Sequence, residues 1–273
     1  MLALANRKQF DGNAIHRILE QISIALDVEV RCWVIGGFTM ILDRVKTTTK
    51  DVDIVFESVE DATAFVRGLT KMDFREQNEL GITYRALDAM TIMDGPEGLR
   101  FDLFVRKVCK CLVLTEGMRR RAKAIPLQGR LRLNVVSRED IFLFKSVTER
   151  DQDLADMAML VSPALRWDVI RQEIAEQPES WRWVARVYLK LVELERTKGI
   201  TSPLMKELEP EAETVTAIAV LVNRMGRGPI AQPEARELLD PQSETFHRLV
   251  LKRMLDLGIA RERDGLYELV EGR

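Results

Sequence analysis

The chain has 273 residues, of which 46% are hydrophobic and 31% are charged, so it is long enough to bury a core of ordinary size. Its 41 basic and 43 acidic side chains nearly balance, so bulk charge gives no argument for nucleic-acid binding. The first apolar stretch is too short for a signal peptide, and no later run is long enough to span a bilayer. We therefore expect no membrane partner and a cytoplasmic location.

The first half of the chain is predicted to alternate helices and strands. Apolar residues recur at helical spacing over residues 12–26, which predicts a helix that packs on the strand after it. This order of elements favours an α+β fold with a mixed sheet and flanking helices. The elements predicted next are a strand over 30–35, a helix over 38–45, a strand over 51–56, a helix over 60–70, short strands over 82–87 and 89–93, and a strand that contains Asp102.

Two glycines lie where the first of these strands meets its helix. Val34 and Ile35 end an apolar run, and Gly36 and Gly37 let the chain turn tightly and approach a ligand closely. A glycine turn that opens a helix presents free backbone N–H groups, which suit phosphate. The pair therefore indicates a phosphate site, and by itself it is a weak signal.

Two carboxylates share one face of the next strand. Successive strand residues point to opposite faces, so Asp51 and Asp53 lie together in the run DVDIV. Like charges held a few ångströms apart repel, and a site that keeps both ionised normally supplies a cation. Oxygen ligands of this kind suit Mg²⁺ or Mn²⁺. The alternative is a half-exposed strand whose outer face is acidic.

Gly36-Gly37, the gap, and Asp51-Val52-Asp53 together resemble the signature of the DNA polymerase β-type nucleotidyltransferase superfamily. Its members carry a third carboxylate on a neighbouring strand, and Asp102 in the run LRFDLFV is the best match. The resemblance implies that Asp51, Asp53 and Asp102 are catalytic and bind two Mg²⁺ or Mn²⁺ ions with an NTP. It also implies that Asp102 helps to activate the acceptor hydroxyl and that nucleotide contacts come from Gly36, Gly37, Thr39 and Lys50.

A lysine and several aspartates follow the predicted sheet. Ser137 is a predicted N-cap of the helix that carries Lys145, and the stretch R-D-x-D-x-x-D spans residues 150–156. This combination resembles toxin-type nucleotidyltransferases of toxin–antitoxin and abortive-infection systems. The resemblance implies that Lys145 contacts the nucleotide and that Asp153 or Asp156 supports the site. The alternative for Lys145 is a packed stem with an ammonium group that reaches outward.

One departure from the superfamily pattern lies four residues before the first aspartate. Many members carry Arg there, whereas this chain has Thr47. Lys46 and Lys50 are the candidate substitutes, and the nucleotide contact is assigned to Lys50. The stretch TTKDVDIV otherwise resembles an uncharacterised, largely prokaryotic nucleotidyltransferase-like group.

A basic cluster and a linker complete the middle of the chain. Arg119, Arg120, Arg121 and Lys123 form the cluster, for which a solvated surface is the simple interpretation. If it borders the cleft, the cluster could hold a triphosphate or an RNA backbone. Residues 164–198 are predicted to be helical. Residues 197–214 contain Gly, two Pro and many charges, which predicts a linker.

The last sixty residues resemble a winged helix-turn-helix over 213–273. Three helical segments precede a hairpin that turns at Asp264-Gly265. The resemblance implies that Thr245, Arg248 and Lys252 would face a DNA groove, although such domains also serve dimerisation or protein docking. The segment has nine basic and ten acidic side chains, so DNA binding stays open.

These predictions combine into a nucleotidyltransferase core at 1–160, a helical region and linker at 161–212, and the winged helix at 213–273. The favoured function is metal-dependent transfer of NMP from an NTP to a hydroxyl on RNA or protein, as a component of a toxin–antitoxin system. The winged helix would then serve a homodimer or a protein partner. The alternative is a catalytically degenerate transcriptional regulator or antitoxin, and modification of a small molecule is a third possibility.

Overall fold

The computed structural model describes residues 7–77, 88–148, 150–161, 165–239 and 243–270. The chain forms two compact units, the first from residues 1–180 and 190–202 and the second from residues 181–189 and 203–273. The domain boundaries that the sequence suggests, after residues 160 and 212, stay a prediction.

The described residues up to 198 form helices and strands in the alternation that the sequence predicts. Their bounds are β1 (Phe10–Asp11), α1 (Gly12–Ala25), β2 (Val30–Ile35), α2 (Gly36–Leu42), β3 (Thr48–Thr49), β4 (Asp51–Phe56), α3 (Val59–Thr70), β5 (Arg75–Glu76), β6 (Thr91–Asp94), β7 (Arg100–Val105), β8 (Lys107–Val108), β9 (Leu112–Val113), α4 (Glu116–Arg121), β10 (Lys123–Ile125), β11 (Leu131–Val135), α5 (Arg138–Ser146), α6 (Asp151–Val161), α7 (Trp167–Glu176) and α8 (Val184–Lys198).

The predicted α+β class with a mixed sheet is confirmed. Seven strands lie side by side in the order β10-β11-β2-β4-β7-β6-β5. β4 is parallel to β7 and antiparallel to β2, so both kinds of pairing meet at the centre of the sheet. The strand predicted over 82–87 lies outside the described residues.

One face of this sheet is covered by α1 and α3. Apolar residues at helical spacing on both helices pack against every second residue of the central strands. The strand residues of this core include Val34, Val52, Ile54, Phe101 and Leu103. Because side chains alternate, the residues between them, including Asp53 and Asp102, point to the opposite face.

Local sequence explains where two elements of the site begin and end. α2 stops at Leu42, three residues before its predicted end, and Arg44 follows in the left-handed region with φ of 60°. α5 begins at a capping box, in which Ser137 Oγ accepts from the Asp140 amide and the Asp140 carboxylate accepts from the Ser137 amide. The predicted N-cap at Ser137 is therefore confirmed.

The described residues of the second unit from 203 to 270 form three helices and a small sheet. Its order of elements is helix, strand, helix, helix and hairpin, and the hairpin turns at Asp264-Gly265 as predicted. Apolar residues of all three helices share one core with Ile230 and Tyr267. The elements are α9 (Met205–Met225), β12 (Ile230–Ala231), α10 (Gln232–Leu238), α11 (Glu244–Asp256), β13 (Ala260–Arg263) and β14 (Leu266–Leu269).

The linker predicted over 197–214 is wrong for most of its length. α9 begins at Met205 and carries Pro210 inside its first turns. Proline at this position has no N–H to donate to the carbonyl of Lys206, so the helix loses one backbone hydrogen bond. The surrounding Met, Lys, Glu, Leu and Ala residues all favour helix. Charge and proline content predict a linker, whereas the helix propensity of the other residues and the burial of Leu208 and Ala212 favour a helix. Among the described residues, no helix has the length and apolar character needed to cross a membrane.

Candidate active site

Three carboxylates lie on the sheet face opposite the α1–α3 core. The register of the parallel strands β4 and β7 pairs Asp53 with Asp102 and Asp51 with Arg100. These four residues alternate with core positions, so their side chains share one face. The structure thus brings the three predicted carboxylates together on two adjacent strands. It adds a guanidinium group beside them.

The glycine turn closes directly over one of these carboxylates. Gly36 has φ of +73°, and a Cβ atom placed on it would lie 2.0 Å from Asp53 Oδ2. A Cβ on Gly37 would lie 2.6 Å from Thr49 Oγ1. Both glycines are therefore needed for close approach, and Gly36 is also needed for its left-handed backbone. The turn between β2 and α2 places its backbone against the acidic face.

Burial and mutual repulsion make this acidic face unfavourable without a cation. The side chain of Asp102 is fully buried, and 8% of Asp53 is exposed. Burial, followed by the charge of Asp51, raises the pKa of Asp53 to about 7. Burial also raises the pKa of Asp102 well above its usual range, and Asp53 and Asp51 add to the effect.

The carboxylate oxygens of Asp102 accept no hydrogen bonds from the described residues. Both of its oxygens are buried and accept no hydrogen bond within the described part of the chain. Arg100 Nε lies 3.5 Å from Asp102 Oδ1 and 3.5 Å from Asp94 Oδ1, beyond good hydrogen-bonding distance. A buried carboxylate in this state is costly unless a ligand or ion satisfies it.

Lys145 lies buried between two aspartates of the next helix. Its Nζ lies 2.8 Å from Asp153 Oδ1 and 2.7 Å from Asp156 Oδ2. Burial acts to lower the pKa of Lys145, and the two carboxylates outweigh it and raise that pKa. The alternative of an outward-reaching ammonium group is therefore wrong. Lys145 also acts electrostatically on Asp53, which places this network beside the acidic face.

Arg150 is the residue of this region that the sequence reasoning did not select. Its Nε lies 3.0 Å from Asp153 Oδ2, and its charge acts on Asp51, Asp53 and Asp102. The only signal was its place at the head of the R-D-x-D-x-x-D stretch. It stands in the connection between α5 and α6, where chain direction is set by tertiary packing rather than by periodicity.

The other residues predicted to contact the nucleotide lie around the acidic face rather than on it. Thr39 Oγ1 donates to the Val34 carbonyl at 3.2 Å, and Thr39 lines a cavity of about 350 Å³ bounded by α2, β11 and α5. Lys50 is half-buried beside Asp51 and has no ion pair within the described residues. Lys46, the other candidate for the missing arginine, donates to Asp156 at 3.2 Å and so joins the Lys145 network.

Removing the Lys145 ammonium should destabilise the fold. In Lys145→Met, Asp153 and Asp156 keep Arg150 and Lys46 as partners and lose their shared buried cation, so we expect a loss of about 3 kcal/mol in the free energy of unfolding. Urea denaturation measures it. Lys71→Met is the matched control, because the Lys71–Asp27 pair is exposed and its loss should change the free energy of unfolding far less. Equal losses in the two variants would contradict this account.

Comparisons with known proteins place this geometry in a family. No curated protein matches the chain. Among solved structures, the CD-NTase CdnG of Bradyrhizobium diazoefficiens in complex with GTP shares 13% identity over 90% of this chain and 83% of that one. The TM-score of 0.26 is too low for that likeness to support an inference. The family model described as "Nucleotidyltransferase of unknown function (DUF6036)" matches residues 13–192, about two thirds of the sequence, and the chain therefore belongs to this nucleotidyltransferase family.

Proposed function

We propose that the protein is a metal-dependent enzyme of the DNA polymerase β-type superfamily that transfers NMP from an NTP to a hydroxyl acceptor. The observation that carries the proposal is the register of β4 and β7, which sets Asp53 beside Asp102 and leaves Asp51 on the same face. The Gly36 turn against Asp53 adds a backbone surface suited to a triphosphate. Membership of the nucleotidyltransferase family supports the reaction class.

The residues of the acidic face fit a divalent cation by their chemistry. Asp102 offers two buried oxygens without hydrogen bonds, and Asp53 and Asp51 repel each other across a short distance. In the described residues, no three His, Cys, Asp or Glu side chains already converge to hold an ion. Asp51, Asp53 and Asp102 are the residues that would hold Mg²⁺ or Mn²⁺. When bound, such ions stabilise the negative charge of the reacting triphosphate.

The residues of the chain then have distinct parts in the transfer. The acceptor oxygen forms a bond to the α-phosphorus, the bond from that phosphorus to the β-phosphate oxygen breaks, and pyrophosphate leaves. Asp102 in its ionised form takes the proton of the acceptor hydroxyl as the new bond to phosphorus forms. The amides of Gly36 and Gly37 and the side chains of Lys50 and Lys145 bind phosphate oxygens.

Neighbouring charges hold this arrangement in place. Asp153 and Asp156 position Lys145 through its ammonium group, and Arg150 offsets part of the charge of Asp53. Thr39 contributes by fixing the start of α2, since its hydroxyl donates to the Val34 carbonyl. We assign Asp153 and Asp156 to positioning rather than to direct contact with the nucleotide.

In this proposal the second unit binds the partner. Its order of helix, strand, helix, helix and hairpin supports a winged helix, used for a homodimer or a protein partner, as in a toxin–antitoxin pair in the cytoplasm. DNA recognition by Thr245, Arg248 and Lys252 is less favoured, because Arg248 pairs with Glu244 and Lys252 with Asp256 on the same helix. The regulator hypothesis depends on DNA binding by this unit, so the same ion pairs weaken that hypothesis too.

The reaction is tested by following label from an α-labelled NTP. The purified protein is incubated with each NTP in turn, Mg²⁺ or Mn²⁺, and a cell lysate with its RNA. We expect labelled macromolecules with one or more NTPs and pyrophosphate as the second product. Sensitivity of the label to ribonuclease or to protease then identifies the acceptor class. Label that stays in the NTP under every condition would contradict the proposal.

A further inference from the structure

A strongly basic segment follows the strand that carries Asp102. Residues 106–123, here called the basic segment, contain seven Lys or Arg residues and one acidic residue, Glu116, in a chain whose net charge is −2. The segment comprises β8, β9, α4 and the first residue of β10. A local excess of this size makes the segment net positive within a nearly neutral protein.

Two of the seven cations are neutralised and serve the fold. Arg119 Nη1 lies 2.9 Å from a carboxylate oxygen of Glu57, and Arg121 pairs with the buried carboxylates of Asp140 and Glu173. These pairs fix α4 against the rest of the first unit. They account for only part of the charge of the basic segment.

The other five cations have no carboxylate partner among the described residues. Within the described residues, the side chain of Arg106 donates only to the carbonyl oxygen of Glu57. Lys110, Arg120 and Lys123 are exposed, and Lys107 is half-buried. Unpaired, exposed cations of this kind are available to anions from solution, whereas paired ones must first lose a partner.

The basic segment begins where β4 ends, three residues after Asp53. The Arg106 amide donates to Phe56 at the end of β4, and the β8–β9 turn then presents Cys109 and Lys110 in the left-handed region. Burial raises the pKa of the Cys109 thiol to about 12, and the charges of Asp53, Asp153 and Arg150 also act on it. Cys109 therefore lies near the carboxylates, and the exposed Lys110 is the next residue in the chain.

The cations of α11 behave differently. Arg248 lies 2.6 Å from Glu244, and Lys252 lies 2.5 Å from Asp256, each four residues away on the same helix. They are as exposed as those of the basic segment, yet each carries its own counter-charge. If the protein binds a polyanion, the unpaired basic segment is the better surface for it.

We propose that the basic segment binds the phosphate backbone of a single-stranded RNA whose end is the acceptor. This inference rests on the proposed transferase function and narrows its acceptor. An RNA end carries ribose hydroxyls and, next to them, a regular row of phosphates, so one molecule satisfies both the acidic reaction site and the cations that begin beside it. An acidic protein also offers negative charge, and it lacks this fixed spacing between hydroxyl and anion.

The test is RNA binding by the full chain without NTP. The probe is a fluorescent single-stranded RNA of about 20 nucleotides with free 3′ hydroxyls, titrated at several salt concentrations. The double variant Lys110→Ala/Arg120→Ala removes two unpaired cations, and Arg248→Ala/Lys252→Ala removes two paired cations as the matched control. We expect the first variant to bind about tenfold more weakly and to lower the salt slope by roughly 1.4, at about 0.7 per phosphate contact. The control should bind like the wild type.

NTP binding by calorimetry, measured on the same proteins, separates this inference from the proposed function. If NTP binds and RNA binding is absent, or is equal in both double variants, the inference is wrong and the transferase proposal stands. If poly-glutamate binds to the basic segment and RNA does not, the inference is wrong and an acidic protein replaces RNA as the partner. If RNA binding falls only in Lys110→Ala/Arg120→Ala and NTP binds, the inference holds. If RNA binding falls in that variant and NTP does not bind, the transferase proposal is wrong and the assignment of the RNA end as its acceptor falls with it.

Discussion

Asp53→Asn should make the metal-free protein more stable at about pH 8 while it abolishes nucleotidyl transfer. The side chain is buried beside Asp51, and its ionised form is disfavoured there. An amide of the same shape carries no charge, so it escapes this penalty. It also cannot serve as a charged metal ligand, which removes several kcal/mol of transition-state stabilisation in the proposed mechanism.

The sign of the pH dependence follows from the raised pKa. The folded protein holds a proton on Asp53 up to about pH 7, whereas the unfolded chain releases it near its ordinary pKa of 3.8. Stability therefore falls as pH rises between these two values and is level above the higher one. The wild type should lose a few kcal/mol over this range in EDTA, at about 1.4 kcal/mol per pKa unit. In Asp53→Asn that loss should be smaller.

Thermal unfolding at about pH 5 and about pH 8 in EDTA measures this effect. Asp27→Asn is the control, because Asp27 is exposed and its hydrogen bond to Lys71 lowers its pKa. That variant should be no more stable than the wild type at either pH. An Asp53→Asn protein that is less stable than the wild type at the higher pH would show that the ionised Asp53 side chain does not destabilise the folded protein.

Gly36→Ala should have the second largest effect, on both folding and nucleotide binding. Its Cβ would lie 2.0 Å from Asp53 Oδ2, and the residue would keep a left-handed φ of +73°. Such a backbone costs about 1–2 kcal/mol in a residue other than glycine, and displacement of the β2–α2 turn or of Asp53 adds to that cost. We expect lower thermal stability and loss of calorimetric NTP binding.

Gly199→Ala separates the backbone cost from the contact with Asp53. Gly199 has φ of +65°, and nothing lies within 4 Å of the position of its Cβ. The Gly199→Ala variant should lose only the free energy that a left-handed backbone costs in alanine, and it should bind NTP like the wild type. Unchanged NTP binding in Gly36→Ala would mean that the turn shapes the junction between strand and helix and does not contact phosphate.

The sequence predicted the acidic face because its signals are local. Alternation within one strand places Asp51 and Asp53 on a common face, and a glycine pair before a helix marks a tight turn. The third carboxylate, Asp102, came from resemblance to a superfamily. The register that sets it opposite Asp53 joins residues about fifty positions apart, which no periodicity specifies.

Charges that act across the fold were harder to predict. Arg150 reaches Asp153 and the acidic face from a connection between helices, and Arg100 looked like an ordinary residue at a strand start. Lys110 and Arg120 have no carboxylate partner in the part of the chain that the structure describes, and this depends on which acidic residues lie near them in space. Residues 197–214 show the opposite error, because proline and charge suggested a linker where helix propensity and burial prevail.

The roles of Asp53 and of the divalent ion are tested together by the transfer of label from an α-labelled NTP, with the wild type and Asp53→Asn compared. We expect labelled acceptor with the wild type in Mg²⁺ or Mn²⁺, none with the wild type in EDTA, and none with a folded Asp53→Asn protein under any condition. The aspartate and the divalent ion are then required together. Equal labelling by the wild type and a folded Asp53→Asn protein would contradict the assignment of the acidic face as the reaction site.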